Sequence, residues 1–354
     1  MKKYHFIFVI LRWAWKIVIT LLGIFVIFLA YMQITNYNPT QQMPLELRGN
    51  KNNKENRKDT YSIITWNIGY SGLGAEMDFF YDGGKGVRPG YAEYQKYLDG
   101  ITGFLAANNS VDVMLLQEVD RNSKRSYHHN QVHHIMDTLK NYNAVFAKNY
   151  DVPFVPLPIA SPLGRVDAGM MTLSRLRPMM NYRYSLPQSH SWPKSLFMLD
   201  RAIIMSTFPL PNQKRLVVLN IHNSAYANEK EARQNELEVV KSLAESEYKK
   251  ENYVIIGGDW NQNPPDFKPD SIPNGKSVGF TLTEDYIGKD WKWAYDKNRP
   301  TNRFLDAPYS EETKTTIIDF YRLSPNLSIE KVEVLEQGFQ YSDHEPVYLK
   351  VRLN

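Results

Sequence analysis

A long apolar run near the N-terminus constrains this chain more than any other feature of its sequence. Residues 17–34 are 18 positions without a charged side chain, and a helix of roughly 20 apolar residues crosses a bilayer. Trp13 and Trp15 lie beside the basic residues before the run, as is typical of a headgroup interface. No acid accompanies these basic residues, which are Lys2, Lys3, Arg12 and Lys16. Residues 1–34 are therefore predicted to form a cytoplasmic tail and a single-pass transmembrane signal anchor, with the remaining chain outside the cytoplasm.

Two other interpretations of this run are open. A cleaved signal peptide has the same order of positive flank and apolar core, but its core is shorter and ends in small residues. Here the run ends around Leu29, Ala30, Tyr31 and Met32, which make a poor cleavage site. A buried core helix of a soluble domain is the third interpretation, and the length of the run argues against it.

The net charge of +4 belongs to the N-terminal part of the chain. Residues 1–34 carry four basic side chains and no acid, residues 35–59 carry five and three, and residues 60–354 carry 33 and 35. A slightly acidic globular part does not supply a broad positive surface for duplex DNA. The chain has no cysteine, which excludes disulfides, thiolate metal sites and a cysteine nucleophile.

The sequence after the apolar run divides into two parts. Residues 35–59 are rich in Asn, Gln and Lys with little apolar periodicity, and we predict a flexible tether there. From residue 60 onwards, short β-rich runs alternate with helical periodicity over residues 94–105, 132–139 and 228–249. Many strands with a few interspersed helices indicate a layered α/β domain over residues 60–354.

Polar side chains follow the predicted strands at the points where the strands end, which is where an α/β scaffold displays catalytic groups. Carboxylate and amide oxygens are the ligands that Mg²⁺ and Mn²⁺ prefer. The motifs G-x-S-x-G and H-E-x-x-H are absent. The set therefore indicates metal-assisted hydrolysis at phosphorus. Its members are Asn67, Glu118, Asn220, His222, Asp259, Asn261, Asp319, Asp343 and His344.

Seven short pieces of sequence, in a fixed order, resemble a known superfamily. They are TWNIG, LLQEVD, AGMMTLSR, LNIH, GGDWNQ, IIDFY and SDHEPV, and they extend over essentially all of the globular part. Each piece alone is a weak signal, but their joint order is similar to that of the endonuclease/exonuclease/phosphatase superfamily. This superfamily includes deoxyribonuclease I, abasic-site endonucleases, neutral sphingomyelinases and inositol polyphosphate 5-phosphatases. The resemblance implies a two-sheet β-sandwich flanked by helices, with the site at one rim.

The resemblance also implies how the site binds metal and activates water. Glu118 would be the main ligand of an Mg²⁺ or Mn²⁺ ion, assisted by Asn67 and Asp343. Asp259 would orient or deprotonate the attacking water, and Asn261 would hold the phosphate. Hydrolysis of a phosphodiester needs such an in-line water and a metal on a non-bridging oxygen.

The histidines have implied roles on the phosphoryl group. His344 and His222 would contact its oxygens and stabilise the charge that develops in the transition state. Asp319 would orient His344 through a carboxylate–imidazole hydrogen bond.

The substrate class is less constrained than the chemistry. The same superfamily core cleaves nucleic acids, sphingomyelin and phosphoinositides. An anchored site meets lipid headgroups at high local concentration, and the globular part is slightly acidic, so we favour a lipid headgroup or another small phosphoester. An extracytoplasmic nuclease acting on DNA or RNA is the alternative. A catalytically inactive, tethered binding module is a second alternative, against which the complete motif set argues.

Two further features have an open interpretation. His129 and His133 have the i, i+4 spacing of a zinc pair, but no third ligand is evident and a solvated helix face is the better interpretation. Four tryptophans are expected either on a lipid- or base-facing surface or in the core: Trp192, Trp260, Trp291 and Trp293.

Overall fold

Four helices and sixteen strands form the described part of the chain, which a computed structural model covers over residues 2–49, 59–188, 190–225 and 230–354. The helices are α1 (Lys2–Ile34), α2 (Tyr91–Ala107), α3 (Gln131–Thr138) and α4 (Lys230–Tyr248). The strands of the first half are β1 (Gln42–Pro44), β2 (Arg48–Gly49), β3 (Thr60–Asn67), β4 (Val113–Asp120), β5 (Asn143–Val155), β6 (Gly164–Ser174) and β7 (Met180–Ser185). The strands of the second half are β8 (Ala202–Pro209), β9 (Arg215–His222), β10 (Tyr253–Asp259), β11 (Lys292–Ala294), β12 (Asn302–Arg303), β13 (Thr315–Thr316), β14 (Asp319–Leu323), β15 (Leu327–Val334) and β16 (Val347–Leu353).

Two seven-stranded sheets stack on each other and confirm the expected sandwich. One sheet has the order β1-β7-β8-β9-β10-β14-β11, and the other has the order β15-β16-β3-β4-β6-β5-β2. Each sheet contains one parallel pair, β9 with β10 and β3 with β4, while the other pairs are antiparallel. The short strands β12 and β13 pair separately. The two parallel pairs lie in the middle of their sheets, and this placement locates the site.

Apolar side chains fill the space between the sheets and the space under the helices. Ile63 and Leu115 of one sheet and Val218 and Ile255 of the other belong to one buried cluster between the sheets. A second cluster lies between its sheet and α4, and a third lies under α2 and α3. Burying one such side chain contributes about 1.5–3 kcal/mol. The helices thus cover the outer faces of the sandwich.

The segment over residues 42–49 corrects the prediction of a flexible tether over residues 35–59. β1 pairs with β7 at the edge of one sheet, and β2 pairs with β5 at the edge of the other. Between them Leu45 and Leu47 pack against a buried cluster formed by residues of both sheets. Alternating apolar side chains hold this segment in place because every second residue turns towards the core. Residues 50–58 of the predicted tether lie outside the described part.

Helix α1 reaches the globular part only at its C-terminal end. Within the described residues it is the one helix long and apolar enough to cross a membrane, and 6% of its most apolar window is buried. That exposure argues against a buried core helix. Near the end of α1, Met32 is buried, and Phe28 stacks on Phe197 with ring centroids 5.8 Å apart. The last turns of α1 are therefore packed against the domain.

Buried polar groups determine two details of the strands. β13 and β14 are separate because the backbone N–H groups of Ile318 and Asp319 both donate to the Thr301 hydroxyl. Strand β7 has no apolar alternation, since its buried positions are Asn181 and Arg183. The Arg183 guanidinium donates to backbone carbonyls of neighbouring segments.

Candidate active site

The carboxyl ends of four strands meet at one rim of the sandwich. Parallel neighbours end on the same side of a sheet. Asn67 at the end of β3 and Glu118 on β4 therefore lie on the same rim as His222 and Asp259 at the ends of β9 and β10. In the antiparallel neighbour β14, Asp319 is paired directly with Asp259. The register of the central strands brings these residues together.

Glu118 has a strained backbone. Its φ of +53° lies in the left-handed region, which costs a non-glycine residue about 1–3 kcal/mol and is concentrated at functional sites. The strain coincides with a bulge, where the register of β4 against β6 shifts between Leu116 and Val119. A bulge redirects a side chain out of the regular alternation of the strand. The Glu118 side chain lines the rim and is 26% exposed.

Asn67 links the carboxylates of the two sheets. Its amide nitrogen donates to Glu118 Oε1 at 3.2 Å and to Asp259 Oδ2 at 3.1 Å. Its amide oxygen accepts from the backbone N–H of Gly69 at 3.1 Å. In this orientation Asn67 positions the two acids. Metal ligation through its oxygen, which the resemblance implied, requires the amide to turn over and to give up the Gly69 hydrogen bond.

His344 is held by a buried carboxylate. Its Nδ1 lies 2.8 Å from Asp319 Oδ2, and its Nε2 lies 3.9 Å from Asp259 Oδ2 and 3.8 Å from Asp343 Oδ2. Burial alone lowers the pKa of His344, but the charges of Asp319 and Asp343 outweigh it and raise the pKa well above its usual value. An imidazolium whose Nδ1–H donates to Asp319 therefore directs its Nε2–H towards the rim.

His222 is the electrostatic opposite of His344. Burial lowers its pKa well below the usual value, and the positive charge of Arg201 acts in the same direction. Its Nε2 lies 3.5 Å from Asp259 Oδ2 and 4.0 Å from Glu118 Oε1. The pKa values of the two buried histidines are therefore shifted in opposite directions.

Two buried acids at the rim resist ionisation. Burial raises the pKa of Asp259 to about 7 against the lowering effect of His344. Burial likewise raises the pKa of Asp343 to about 6, opposed by His344 and reinforced by the charge of Glu118. Asp259 Oδ1 accepts from the backbone N–H of Asn261 at 2.9 Å. Carboxylates with raised pKa values in a cleft are suited to proton transfer or to binding a cation.

Asn261 stands in the left-handed region with φ +52°. Its side-chain nitrogen donates to the backbone carbonyl of Asn223 at 2.8 Å, and the residue lines the cleft. Asn220, by contrast, lies between the sheets, where it accepts from Gln117 and donates to the Met171 carbonyl. Asn220 therefore joins the sheets rather than facing the cleft.

The rim opens into a cleft of about 340 Å³. Six of the eight residues to which the resemblance gives a role line it, while the other two, Asn67 and Asp319, lie behind them. Apolar side chains form the walls, including Leu163, Met198, Leu199, Val278 and Phe304. The sequence motifs do not include these wall residues, because they come from loops whose position depends on tertiary packing.

The cleft also contains three arginines that the predicted catalytic set does not include: Arg125, Arg201 and Arg303. Arg125 forms two hydrogen bonds to Asp120 and lies 3.7 Å from the centre of the Tyr70 ring. Arg303 donates to backbone carbonyls, and Arg201 donates to the His222 carbonyl. Arg125 and Arg303 are thus each held by more than one hydrogen bond, whereas within the described residues Arg201 is held by one bond from Nη1.

The donor set fits a divalent cation. Glu118, Asp259 and Asp343 gather at the rim, and the raised pKa values of the two aspartates reflect the cost of bringing buried carboxylates together. A divalent cation would offset that cost. Within the described residues, Asp259, Asp319 and His344 also place ligand atoms within 4.8 Å of one another. His344 and Asp319 are hydrogen-bonded to each other, which leaves Glu118, Asp259 and Asp343 as the available oxygen donors.

The family model described as "Endonuclease/Exonuclease/phosphatase family" matches residues 64–310. The chain belongs to this family. Its members are metal-dependent hydrolases that act on phosphoester bonds, and this chain contains a cluster of carboxylates and a histidine that could hold a metal ion. Comparison with curated protein sequences finds no match.

Solved structures share the fold at low sequence identity. An endonuclease/exonuclease/phosphatase from Beutenbergia cavernae is 18% identical with a TM-score of 0.57, covering 84% of this chain and 72% of its own. The human Nocturnin catalytic domain, solved with a sulfate anion, is 16% identical with a TM-score of 0.53, covering 88% and 98%. A humanized D. rerio TDP2 is 15% identical with a TM-score of 0.51, covering 83% and 100%. These likenesses show the fold.

His129 precedes α3, whereas His133 and His134 lie on it, and within the residues described these histidines do not form a second cluster of three ligand groups. His133 is exposed, while Val132 and Ile135 of the same helix are buried. The His129 ring packs against His134 at 5.2 Å. This arrangement agrees with the interpretation of α3 as a helix with one solvated face.

Proposed function

We propose that the protein is a membrane-anchored, divalent-metal-dependent phosphodiesterase that hydrolyses a lipid headgroup ester or another small phosphoester. The observation that carries the proposal is the cleft, in which acids and histidines form a polar floor under apolar walls. A phosphoester bound there would place its phosphoryl group on the floor and its organic group against the walls.

The floor residues divide the work of hydrolysis. Glu118 and Asp343, with Asn67 behind them, would hold an Mg²⁺ or Mn²⁺ ion, which supplies Lewis-acid polarisation of a phosphoryl oxygen. Asp259 would hold the attacking water, since its raised pKa suits it to accept a proton near neutral pH.

The phosphoryl group itself would be held by three side chains. His344 would donate from Nε2 to a phosphoryl oxygen, oriented by Asp319 on Nδ1. His222 and Asn261 would position the remaining oxygens. Donors fixed before the reaction stabilise developing charge without reorganisation.

The charges of the cleft favour a small phosphoester over nucleic acid. Among the described residues, those that line the cleft include three arginines and no lysine, and two of the arginines, Arg125 and Arg303, are each held by more than one protein hydrogen bond. A strand of nucleic acid requires basic groups that follow successive phosphates. A nuclease acting on DNA or RNA remains the second candidate, supported by the family alone.

Helix α1 supports attachment to a membrane. It is long and apolar enough to span one and is almost unburied, and its basic side chains precede the apolar run. This order is typical of a single-pass protein with a cytoplasmic N-terminus and an extracytoplasmic catalytic domain. Resistance to extraction by carbonate would support the anchor, and release by carbonate would contradict it.

Hydrolysis of bis-p-nitrophenyl phosphate by the full-length protein tests the enzyme proposal. Activity should require Mg²⁺ or Mn²⁺, should be lost in EDTA, and should be abolished by Glu118→Ala and His344→Ala. His133→Ala is the matched control, since His133 is an exposed histidine on α3. Absence of metal-dependent hydrolysis in the unmodified protein would favour the inactive binding module. Rapid nicking of plasmid DNA without release of lipid headgroups would favour the nuclease.

A further inference from the structure

Large apolar side chains are exposed on two segments that contact α1, namely β5 with the loop after it and the segment that leads to Phe197. In the loop between β5 and β6, Leu157 is 46% exposed and Ile159 is 86% exposed, and Phe154 at the end of β5 is 40% exposed. Trp192, just before the short turn Lys194–Phe197, is 62% exposed. We call these four residues the apolar rim. Four large apolar side chains exposed on two segments that both contact α1 are unusual for a surface in water, where large apolar patches mark an interaction site.

The apolar rim is in physical contact with α1. The Phe28 ring meets the Phe154 ring edge-on at 6.3 Å and stacks on Phe197 at 5.8 Å. Phe197 lies at the end of the turn that follows Trp192. Phe154 and Phe197 therefore join the membrane candidate helix to the two segments that carry the apolar rim.

The position of Phe28 along α1 determines how deep in a membrane its contact with the domain would lie. The Lys16 ammonium group lies 4.8 Å from the centre of the Trp13 ring, and these two residues mark one membrane interface at the start of the uncharged run. Residues 17–34 then span about 27 Å as a helix, close to the thickness of a hydrocarbon core of about 30 Å. Phe28 precedes Ile34 by six residues, so it would lie about 9 Å inside the outer boundary. A domain surface that touches Phe28 must enter the same layer.

The cluster that receives α1 continues into the wall of the cleft. Met32 of α1 belongs to one buried cluster with Tyr150, Leu163 and Ala168, against which Leu199 also packs. These last four residues line the cleft. One apolar cluster thus separates the end of α1 from the cleft. The cleft is held close to the membrane layer that α1 would span.

We propose that the apolar rim is seated in the outer leaflet of the membrane, so that the cleft takes its phosphoester from a lipid of that leaflet. This inference rests on the proposed function for the anchor and the hydrolysis, and it adds the surface and the direction from which the substrate arrives. The aromatic and aliphatic side chains of the apolar rim suit the boundary between headgroups and acyl chains.

The absence of cysteine makes the seating directly measurable. Full-length Ile159→Cys is labelled with bimane and reconstituted in phosphatidylcholine vesicles that contain doxyl-labelled phosphatidylcholine. Ile329→Cys is the matched control, an exposed isoleucine on β15, at the opposite edge of the sheet from β5 and β2. Strong quenching at position 159 with little at 329 is expected. Equal quenching at both positions, or none at 159, would overturn the seating.

A pair of substrates tests the direction of entry. The double variant Leu157→Asp/Ile159→Asp should lower hydrolysis of a hexadecyl p-nitrophenyl phosphodiester in phosphatidylcholine vesicles by about tenfold. Its hydrolysis of soluble bis-p-nitrophenyl phosphate should stay at the parent rate, which also shows that it is folded. Equal rates of the variant and the parent on the vesicle substrate would contradict entry from the leaflet. If the parent hydrolyses neither diester, the proposed function fails, while the bimane result still decides the seating.

Discussion

The floor and the mouth of the cleft are built in different ways. The floor residues His222, Asp259 and Asp319 lie on adjacent strands in direct register, and all three are buried. The mouth consists of the apolar wall residues described above, and it is built from segments between strands, such as those that carry Leu199 and Val278. Strand register cannot shift by one residue without exchanging the two faces of the sheet, whereas loops accept substitutions and insertions.

This difference separates the chemistry of the protein from its choice of substrate. The floor should tolerate almost no change, and its variants should affect every phosphoester alike. The mouth should tolerate change, and its variants should alter which phosphoester is hydrolysed. Four substitutions, at Glu118, Gly258, Asp319 and Val278, test this division.

Replacement of the strained acid at the floor should have the largest effect. Glu118→Gln keeps the size of the side chain but removes the charge that would hold a divalent cation, and loss of several kcal/mol of transition-state stabilisation corresponds to a fall of roughly a thousandfold or more in kcat/KM. Steady-state hydrolysis of bis-p-nitrophenyl phosphate measures it, with the exposed Glu312→Gln as control. A fall below tenfold would show that Glu118 is not a metal ligand.

A methyl group on the backbone beside Asp259 should disrupt the floor as a whole. Gly258 has φ +147°, and a Cβ there would lie 2.1 Å from the Ile221 carbonyl oxygen. Gly258→Ala should lower the free energy of unfolding by about 3 kcal/mol or more, measured by urea denaturation. Gly103→Ala is the control, since Gly103 lies on α2 with nothing within 4 Å of the added Cβ. That variant should gain roughly 0.5–1 kcal/mol.

Removal of the charge behind His344 should change the pH profile. Asp319 raises the pKa of His344, so Asp319→Asn lowers that pKa, and the protonated form of His344 is lost at lower pH than in the parent. The alkaline limb of the kcat profile should therefore move to lower pH, with a fall of roughly a hundredfold in kcat. The exposed Asp290→Asn should leave the profile unchanged. An unshifted alkaline limb in Asp319→Asn would show that His344 does not act as a cation.

A change at the mouth should have the smallest and most selective effect. Val278 lines the cleft and is half-buried, so Val278→Ser removes apolar contact with the organic group of the substrate. The KM for the hexadecyl diester should rise by roughly threefold to tenfold with kcat unchanged. Bis-p-nitrophenyl phosphate should show a smaller change. Equal effects on both substrates would mean that the mouth does not select.

The floor was predictable from sequence because it depends on local patterns. Apolar strands such as VIIGG are visible in the sequence, and the polar residue after each one, such as Asp259, lies at the rim wherever the strands are parallel. The order of the motifs then assigned the roles. The lowered pKa of His222 was not predictable, since it follows from burial and from Arg201, which is 21 residues away in the chain.

The mouth and the edges of the sheets were less predictable. Leu163 and Met198 carry no motif, and only packing brings them to one cleft. Strand β7 was missed because Arg183 occupies a buried position, where its charge is satisfied by distant carbonyls. Among the four tryptophans, Trp260 and Trp291 are buried and Trp192 is exposed. Composition cannot distinguish these outcomes, because aromatic side chains serve both environments.

The pairing of residues 42–49 with both sheets limits how far the domain can lie from the end of α1. Seven residues, 35–41, join the end of α1 to β1, and a fully extended chain of that length reaches about 25 Å. Even if the contact of Phe28 with the domain opened, the domain would stay within one molecular diameter of the end of α1. A domain attached so closely to a membrane by α1 would sample a thin layer of solution, and its rate would depend on how densely that layer is supplied with substrate rather than on the bulk concentration.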